Sequence, residues 1–240
     1  MSTPGRIRVR RALRRRGLDV VTPRPMLADL LAERAVSVVL DVGANEGQFA
    51  SELRAWGYRG RIVSFEPIPA VAAALRARAS TDPAWEVREE ALGAAEGTAT
   101  LHVSALSAFS SLRTPLPSVL TLDDRSTPVE TVEVTVRRLD DVFDDLVDVG
   151  DRAFLKLDTQ GNEADVLDGT PEALARVEGV QLELGVRRLY EGEQLAPALI
   201  ARMEGAGFRL GQVHPVLFDP ADGRASLLQF DAVFVRPPAS

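Results

Sequence analysis

The chain has 240 residues and no cysteine, so disulfide bonds, thiolate metal sites and cysteine nucleophiles are excluded. Long hydrophobic runs are also lacking, since none approaches the roughly 20 apolar residues that a membrane span requires. The basic N-terminus lacks the apolar segment of a secretory signal, so we expect a cytoplasmic protein. Apolar residues nevertheless make up 45% of the chain, which is sufficient for a large core.

Charge is unevenly distributed along the chain. Residues 1–24 contain eight arginines and one acid, which gives +7, so the net charge of −7 leaves −14 for residues 25–240. This pattern predicts a basic N-terminal arm and helix over residues 1–34 and a single acidic domain over residues 35–240. The arm is either solvated or packed on the acidic body, or it binds an anionic partner such as RNA or lipid.

Strands and helices alternate along most of the chain. Continuous apolar runs predict buried strands, and segments with apolar residues at helical spacing separate them. The predicted strands cover residues 36–41, 62–66, 85–92, 154–158, 180–183, 208–213 and 227–235. The predicted helices lie near residues 26–31, 45–57, 71–75, 163 onward and 195–206. This alternation favours right-handed crossovers and a mostly parallel, doubly wound α/β sheet.

The middle of the chain departs from this rhythm. Residues 98–103 and 131–137 alternate polar and apolar side chains, which is typical of half-exposed antiparallel strands. Between them, residues 104–128 are rich in Ser, Thr and Pro, and so long an irregular segment is either a functional lid or a disordered loop. We therefore predict one domain with an inserted β-hairpin and loop.

The segment 38–50 joins a buried strand to a helix through two glycines, Gly43 and Gly47. Glycines let the backbone turn sharply and approach a ligand, although such turns also occur as plain scaffolding. The spacing differs from the Gly-x-Gly-x-x-Gly pattern of dinucleotide-binding folds, and Asp41 would repel phosphate groups. A cationic ligand with an amino acid end, such as S-adenosylmethionine (SAM), suits this pattern better. Glu66, which ends the next strand and precedes Pro67, can accept hydrogen bonds from ribose hydroxyls.

A second cluster of acids follows the strand at residues 154–158. This strand delivers Asp158 to the carboxyl edge of the sheet, Glu163 opens the next helix, and Glu183 ends the following strand. Ligands bind at that edge in open α/β sheets. The three carboxylates could provide a general base or hold a divalent cation, or each could serve only as a helix cap or a solvated acid.

The motifs as a set resemble the FkbM-type methyltransferase family over roughly residues 36–235. The matching segments are residues 40–47, 65–67, 91–93, 110–112, 139–140, 155–163, 166–169, 182–184, 189–192, 207–208 and 231–234. The resemblance implies a class I methyltransferase (Rossmann-like) fold, in which a seven-stranded sheet ends in an antiparallel hairpin. It also implies that SAM is the methyl donor and that a hydroxyl group is the most frequent acceptor. The commonest family motif has Glu where this chain has Gln160.

The same resemblance implies roles for individual residues. Asp41, Gly43, Asn45 and Gly47 would surround the methionine part of SAM. Glu66 and the adjacent Pro67 would hold the ribose, and Glu90, Ala91 and Leu92 would flank the adenine. Asp158 would lie near the transferred methyl group, with Glu163 and Glu183 beside it.

A base should take the proton of an aliphatic hydroxyl acceptor, because such a group is a poor nucleophile at neutral pH. Asp158 is the first candidate and His214 the second, although a lone histidine is more often structural. The loop at residues 104–117, with Ser110 and Ser111, would form a lid and contact the acceptor. Tyr190 would line the acceptor pocket, unless it is a core aromatic residue.

We therefore predict a SAM-dependent O-methyltransferase acting on a small molecule, a sugar or another natural-product intermediate. The alternatives are an RNA methyltransferase guided by the basic arm, a nicotinamide-dependent oxidoreductase, and a cofactor-binding protein without catalysis. The acidic body argues against nucleic acid, and the glycine pattern argues against a nicotinamide cofactor. A divalent metal and a homo-oligomer remain open.

Overall fold

The computed structural model describes residues 26–237, and helices and strands follow one another there largely in the predicted order. The helices are α1 Met26–Glu33, α2 Gln48–Ala55, α3 Pro69–Ala79, α4 Pro117–Leu120, α5 Leu139–Leu146, α6 Glu163–Asp168, α7 Pro171–Leu174 and α8 Ala196–Gly205. The strands are β1 Val38–Val42, β2 Arg61–Phe65, β3 Trp85–Arg88, β4 Ala91–Leu92, β5 Gly97–Ser104, β6 Pro128–Arg137, β7 Ala153–Leu157, β8 Val177–Gly185, β9 Arg209–Phe218 and β10 Leu227–Val235. The basic arm lies outside the described residues, so the division into residues 1–34 and 35–240 stays a prediction.

Seven strands form the main sheet, in the order β3-β2-β1-β7-β8-β10-β9. The first five in this order are parallel. β10 runs antiparallel to both β8 and β9. The predicted doubly wound sheet with a C-terminal antiparallel hairpin is thus confirmed. Chain order reverses between β1 and β7, which places a topological switch point at the centre of the sheet.

Alternate residues of the central strands pack on opposite faces of the sheet. Leu40 belongs to one apolar core, which includes Phe143 of α5. Val39 belongs to a second core, which includes Leu31 of α1 and Leu53 of α2. Because both faces are covered by helices, the strands read as continuous apolar runs in the sequence.

The predicted strand over residues 85–92 is wrong, since the chain forms two strands there. β3 ends at Arg88 beside β2, at the edge of the main sheet. Two residues later, β4 pairs with β6 in a separate three-stranded sheet of order β4-β6-β5. The acidic pair Glu89 and Glu90 separates the two strands, and it carries the chain from one sheet to the other.

The inserted hairpin is confirmed, because β5 and β6 pair antiparallel from Gly97 and Val136 to Ser104 and Pro128. The segment between them is ordered by short helical turns, namely Ser107–Phe109, α4 and Asp124–Ser126. Val119 of α4 is fully buried in a small core with Leu189 and Tyr190. This core attaches the inserted loop to the segment that follows β8.

The longest described helix, α3, has 11 residues. Among residues 26–237, no helix combines the length and the apolar character that crossing a bilayer requires. The cytoplasmic location stays a prediction.

Candidate active site

A cavity of about 430 Å³ opens at the carboxyl edge of the sheet, near the switch point between β1 and β7. The loops after β1, β2 and β7 contribute to its lining, together with residues of β8 and β10 and segment 107–112 of the inserted loop. Six carboxyl groups line this cavity against one ammonium group, that of Lys156. The lining of the cavity therefore contains many more acidic than basic groups.

Strand register places polar side chains next to one another on one face of the sheet. Asp41 of β1 pairs with Lys156 of β7, which in turn pairs with Gln181 of β8. Nearer the carboxyl edge, Glu183 of β8 pairs with Asp231 of β10. Paired residues of neighbouring strands point to the same face. The register therefore brings these five side chains into one polar surface.

A buried ion pair lies at the centre of this surface. Lys156 Nζ is 3.0 Å from Asp41 Oδ1 and 3.5 Å from Asp158 Oδ2. Lys156 also donates to the carbonyl oxygen of Gly43 at 3.0 Å, and Ser64 Oγ donates to Asp41 Oδ2 at 3.2 Å. Burial alone would lower the pKa of Lys156, but the two carboxylates raise it above its ordinary value. The ammonium therefore stays charged and joins β1 to the end of β7.

The loop after β1 depends on left-handed backbone conformations. Gly43 has φ +74°, and a Cβ there would lie 1.8 Å from the carbonyl oxygen of Asp158. Asn45 and Gly47 also have positive φ, of 48° and 82°. Gly47 packs against Leu75 and Trp85, with no space for a Cβ, and it does not line the cavity. Gly47 therefore serves the packing at the start of α2, whereas Gly43 and Asn45 line the cavity.

Glu66 presents a buried carboxylate to the cavity from the end of β2. Its two oxygens accept backbone N–H groups, from Asn45 at 2.9 Å and from Ile68 at 2.9 Å. Burial raises the pKa of Glu66 to about 7, although these hydrogen bonds and the charge of Lys156 oppose the shift. Ser107 Oγ donates to Asn45 Oδ1 at 2.7 Å and thereby ties the inserted loop to this corner.

Part of the cavity lining is mainly apolar, beginning with the residues that follow Glu66 in the chain, and we call this part the apolar slot. Its lining residues are Pro67, Ile68, Ala91, Leu92 and Leu101. Ala91 and Leu92 reach it from β4, in the smaller sheet. Glu90, which precedes Ala91, also lines the cavity, and its Oε1 lies 3.5 Å from Nε of Arg88.

On the other side of the ion pair, the side chain of Gln160 lies between two carboxylates. Gln160 Nε2 donates to Asp158 Oδ1 at 2.9 Å and to Glu183 Oε2 at 2.8 Å. Gln229 Nε2 donates to the same Glu183 oxygen at 2.8 Å. Burial raises the pKa of Glu183 well above its ordinary value, and the charge of Asp158 adds to this effect. All four side chains line the cavity.

Glu163 lies apart from the cavity lining, in contrast to the role expected for it beside the methyl group. Its Oε1 accepts the backbone N–H of Thr159 at 2.7 Å and the Thr159 hydroxyl at 3.0 Å. The carboxyl group is buried, which raises its pKa to about 7 against the effect of these hydrogen bonds. Glu163 thus holds the turn that follows β7.

Asp231 lines the cavity, whereas its neighbour on β9, His214, does not. His214 Nε2 lies 3.2 Å from Gln212 Oε1, on the edge strand of the sheet. The Asp231 carboxylate has no side-chain hydrogen bond or ion pair with any described residue. Its pKa is raised to about 7, first by burial and then by the charge of Asp158, although Lys156 opposes the shift.

Of the three residues predicted to contact the acceptor, two line the cavity and one does not. Ser110 and Ser111 line the cavity, but their hydroxyl groups already make hydrogen bonds. Ser110 Oγ accepts the N–H of Ser104 at 3.0 Å, and Ser111 Oγ donates to the carbonyl oxygen of Gln160 at 2.7 Å. Tyr190 is fully buried behind the cavity, and its hydroxyl donates to Gln160 Oε1 at 3.0 Å. Ser111 and Tyr190 therefore fasten neighbouring segments to the turn at Gln160, whereas the Ser110 hydroxyl keeps its proton free to donate.

Sequence reasoning missed two charged groups of the cavity, Lys156 and Asp231. Lys156 is the only lysine in a chain with 28 lysine and arginine residues. This exception in the composition is the feature of the sequence that points to it. Asp231 interrupts the otherwise apolar second half of β10. Its position beside Glu183 follows from an antiparallel register that sequence patterns do not specify.

Within residues 26–237, no three histidine or acidic side chains are arranged to hold a metal ion.

A family model described as "Methyltransferase FkbM domain" matches residues 41–210. No curated protein sequence matches the chain.

Solved structures with a similar fold include an rRNA methylase from Streptococcus thermophilus, 14% identical, aligned over 91% of this chain and 99% of that one with a TM-score of 0.45. Another is magnesium protoporphyrin IX methyltransferase from Synechocystis PCC 6803 with bound SAM, 10% identical over 98% of this chain and 92% of that one, with a TM-score of 0.47. Mitomycin 7-O-methyltransferase is 12% identical over 88% of this chain and 52% of that one, with a TM-score of 0.44. Similarity at this level says nothing about the acceptor.

Proposed function

The chain belongs to the FkbM methyltransferase family, and we propose that it moves the methyl group of SAM onto a hydroxyl group of a small molecule, a sugar or another natural-product intermediate. SAM is the methyl donor. The observation that carries the proposal is that one cavity joins the Glu66 corner, which suits a ribose, to the carboxylates of Asp158 and Asp231. Because this is a family of methyltransferases, the alternative of a nicotinamide-dependent oxidoreductase is excluded.

The residues of the cavity fit SAM in size and in chemistry. A volume of about 430 Å³ lies in the range of small-molecule sites. Each Glu66 oxygen accepts one backbone N–H and keeps a lone pair for a ribose hydroxyl. The apolar slot from Pro67 to Leu101 suits an adenine ring, and the acidic lining suits a sulfonium and an ammonium group. When bound, SAM supplies an electrophilic methyl group.

The protein has two tasks at the acceptor end, alignment and proton removal. In-line displacement requires the acceptor oxygen to be held behind the methyl carbon. Asp158 and Asp231 are the carboxylates we propose to face the acceptor hydroxyl. Asp158 is oriented by Gln160 and Lys156, whereas Asp231 makes no side-chain hydrogen bond with a described residue and is free to accept one. A pKa of about 7 suits Asp231 for taking a proton near neutral pH.

The charge of the cavity favours a small hydroxylated acceptor over RNA. Six carboxyl groups line it against one ammonium group and no described arginine, so it lacks the broad basic surface that binding the phosphates of a nucleic acid strand requires. The arginine-rich segment that motivates the RNA alternative lies outside the described residues.

The test is transfer from labelled SAM to a panel of sugars and other hydroxylated small molecules, with structured RNA as a competing acceptor. We expect release of S-adenosylhomocysteine (SAH) with a small acceptor, and a fall in kcat of roughly 10²- to 10⁴-fold in Asp158→Asn or Asp231→Asn. Calorimetry should find SAM affinity nearly unchanged in Asp231→Asn. Glu204→Gln, an exposed acid on α8, is the matched control and should retain activity. Transfer to RNA and to no small molecule would contradict the proposal.

A further inference from the structure

The cavity extends beyond the part that we propose for SAM. Glu66 accepts the N–H of Asn45 in the loop after β1, and β10 lies three strands from β1. Three strand spacings correspond to about 14 Å. The six bonds that join the ribose ring of SAM to its amino group span only about 7 Å. A SAM molecule held at Glu66 therefore leaves the end of the cavity at β8 and β10 for the acceptor.

Gln181 presents an unused amide group to this end of the cavity. The residue lies on β8, lines the cavity and is only 7% exposed. Its side chain makes no hydrogen bond with any described residue, and neither amide atom is sealed from solvent. Burying an amide costs free energy unless it forms hydrogen bonds. The Gln181 amide therefore indicates that a polar group of a bound molecule belongs there.

Two carboxylates lie near this amide. Gln181 pairs with Val233 of β10, so Asp231, two residues earlier, lies diagonally beside it on the same face of the sheet. Glu52 of α2 also lines the cavity, and its carboxylate, like that of Asp231, makes no hydrogen bond or ion pair with a described residue. The pKa of Asp231 is raised chiefly by burial and by the charge of Asp158, and the charge of Glu52 adds to this effect. Oxygen atoms without partners therefore come from β8, β10 and α2 at this end of the cavity.

Such a lining suits a ligand with more hydrogen-bond donors than acceptors. Lys156 is the only cationic side chain among the described residues of the lining, and two carboxylates and a backbone carbonyl already engage it. An anionic acceptor would therefore find no free cation there. A protonated amine has three N–H donors and no acceptor, and its charge compensates that of Glu52.

We propose that the acceptor is a small amino alcohol, such as an amino sugar, whose protonated amine binds between Glu52 and the amide oxygen of Gln181 while a neighbouring hydroxyl group faces Asp231. The inference deepens the proposed function and rests on it for the transfer step. Val216 and Leu217 of β9 also line the cavity and offer apolar surface to the carbon skeleton.

The same arrangement directs the methyl group to oxygen. The hydroxyl oxygen forms the new bond to the methyl carbon as the bond from that carbon to sulfur breaks, and the electron pair of the broken bond goes to the sulfur of SAH. The hydroxyl proton passes to Asp231. A neighbouring ammonium group favours the ionised form of Asp231, which is the form that takes a proton. The protonated amine has no lone pair and is not methylated.

The experiment compares acceptors that differ in one amino group. Glucosamine is compared with glucose and with N-acetylglucosamine, and trans-2-aminocyclohexanol is compared with trans-1,2-cyclohexanediol. Calorimetry on the full chain with saturating SAH gives the affinities, and transfer from labelled SAM gives kcat/KM. We expect the wild-type protein to prefer each amine over its neutral counterparts by about tenfold or more.

Two substitutions test the proposed contacts. Glu52→Gln keeps the shape of the side chain and removes its charge, so the preference for the amine should fall about tenfold, mainly through Kd and KM. Gln181→Leu removes one neutral hydrogen bond and should lower the preference about 2- to 10-fold. Glu204→Gln and Gln212→Leu are the matched controls, because neither residue lines the cavity, and both should keep the preference of the wild type.

Equal affinity of the wild-type protein for the amines and their neutral counterparts would overturn the inference, and so would a preference that survives both Glu52→Gln and Gln181→Leu. A protein that binds SAH and none of the amines would overturn it as well. If Gln181→Leu folds poorly, Glu52→Gln decides alone, because Glu52 is exposed and its substitution leaves the core intact. Absence of SAH binding by the wild-type protein would instead count against the proposed function.

Discussion

At the scale of single residues, Lys156 is the group on which the charge balance of the site depends. It is 4% exposed and pairs with Asp41, which is fully buried. Lys156→Met leaves that carboxylate without its cation, and we expect the free energy of unfolding to fall by about 3–5 kcal/mol in urea denaturation at pH 8. The double variant Lys156→Met with Asp41→Asn removes both charges and should recover part of the loss. Equal stability of Lys156→Met and wild type would contradict the buried ion pair.

The proposed contact between Glu66 and the ribose predicts that cofactor binding depends on pH. Its pKa is raised to about 7 in the free protein, whereas ribose hydroxyls that donate to the carboxylate favour the ionised form. We therefore expect the affinity for SAH to rise with pH up to about 7, by as much as tenfold per unit, and to level off above. Calorimetry between pH 5.5 and 8.5 measures this dependence. Glu66→Gln should bind weakly at every pH with a flat profile, and Asp231→Asn should keep the rise.

Much of the site could be predicted, because the carboxyl ends of parallel strands meet at one edge. This rule placed Asp158 and Glu183 at the same edge from sequence position alone, and both line the cavity. It could not find Asp231, which enters the cavity from an antiparallel strand whose register is set by packing. The rule also left the direction of Glu163 open, and the side chain turns back to hold Thr159.

At the scale of elements, the loop after β1 is fitted to the end of β7. A Cβ at Gly43 would lie 1.8 Å from the carbonyl oxygen of Asp158, so Gly43→Ala must displace backbone that carries a cavity carboxylate. We expect a large fall in melting temperature and loss of SAH binding. Gly150→Ala is the control, because Gly150 has φ +99° with open space around it, so only the conformational cost applies. Similar effects of the two substitutions would contradict the close approach.

Element boundaries were predicted less well than element types. The central strands were found because their apolar runs are continuous. The helix expected over residues 45–57 begins only at Gln48, since Asn45 and Gly47 take left-handed conformations that a helix excludes. The break between β3 and β4 escaped prediction because residues 85–92 have the composition of one strand, and only the pairing of β4 with β6 divides them.

At the scale of the whole molecule, buried acids should make the free protein less stable as pH rises. Burial raises the pKa of Glu66, Glu163 and Asp231 to about 7 each, from ordinary values near 4. A carboxyl group whose pKa is raised in the folded state contributes to the free energy of unfolding in full below about pH 4. That contribution is lost as the pH rises through 7. Asp123, whose pKa is lowered to about 2, makes stability depend on pH only in more acidic solution. The melting temperature of the ligand-free protein should therefore fall between pH 5 and pH 8.

Glu163→Gln isolates one contribution to this trend. The amide oxygen of glutamine can still accept from Thr159, so the turn after β7 is kept while the titrating group is removed. We expect the variant to be more stable than wild type at pH 8 by roughly 1–3 kcal/mol and equal to it near pH 5. Thermal unfolding across this range measures both effects. A wild-type protein that gains stability from pH 5 to pH 8 would show that other charges of the fold outweigh the three buried acids.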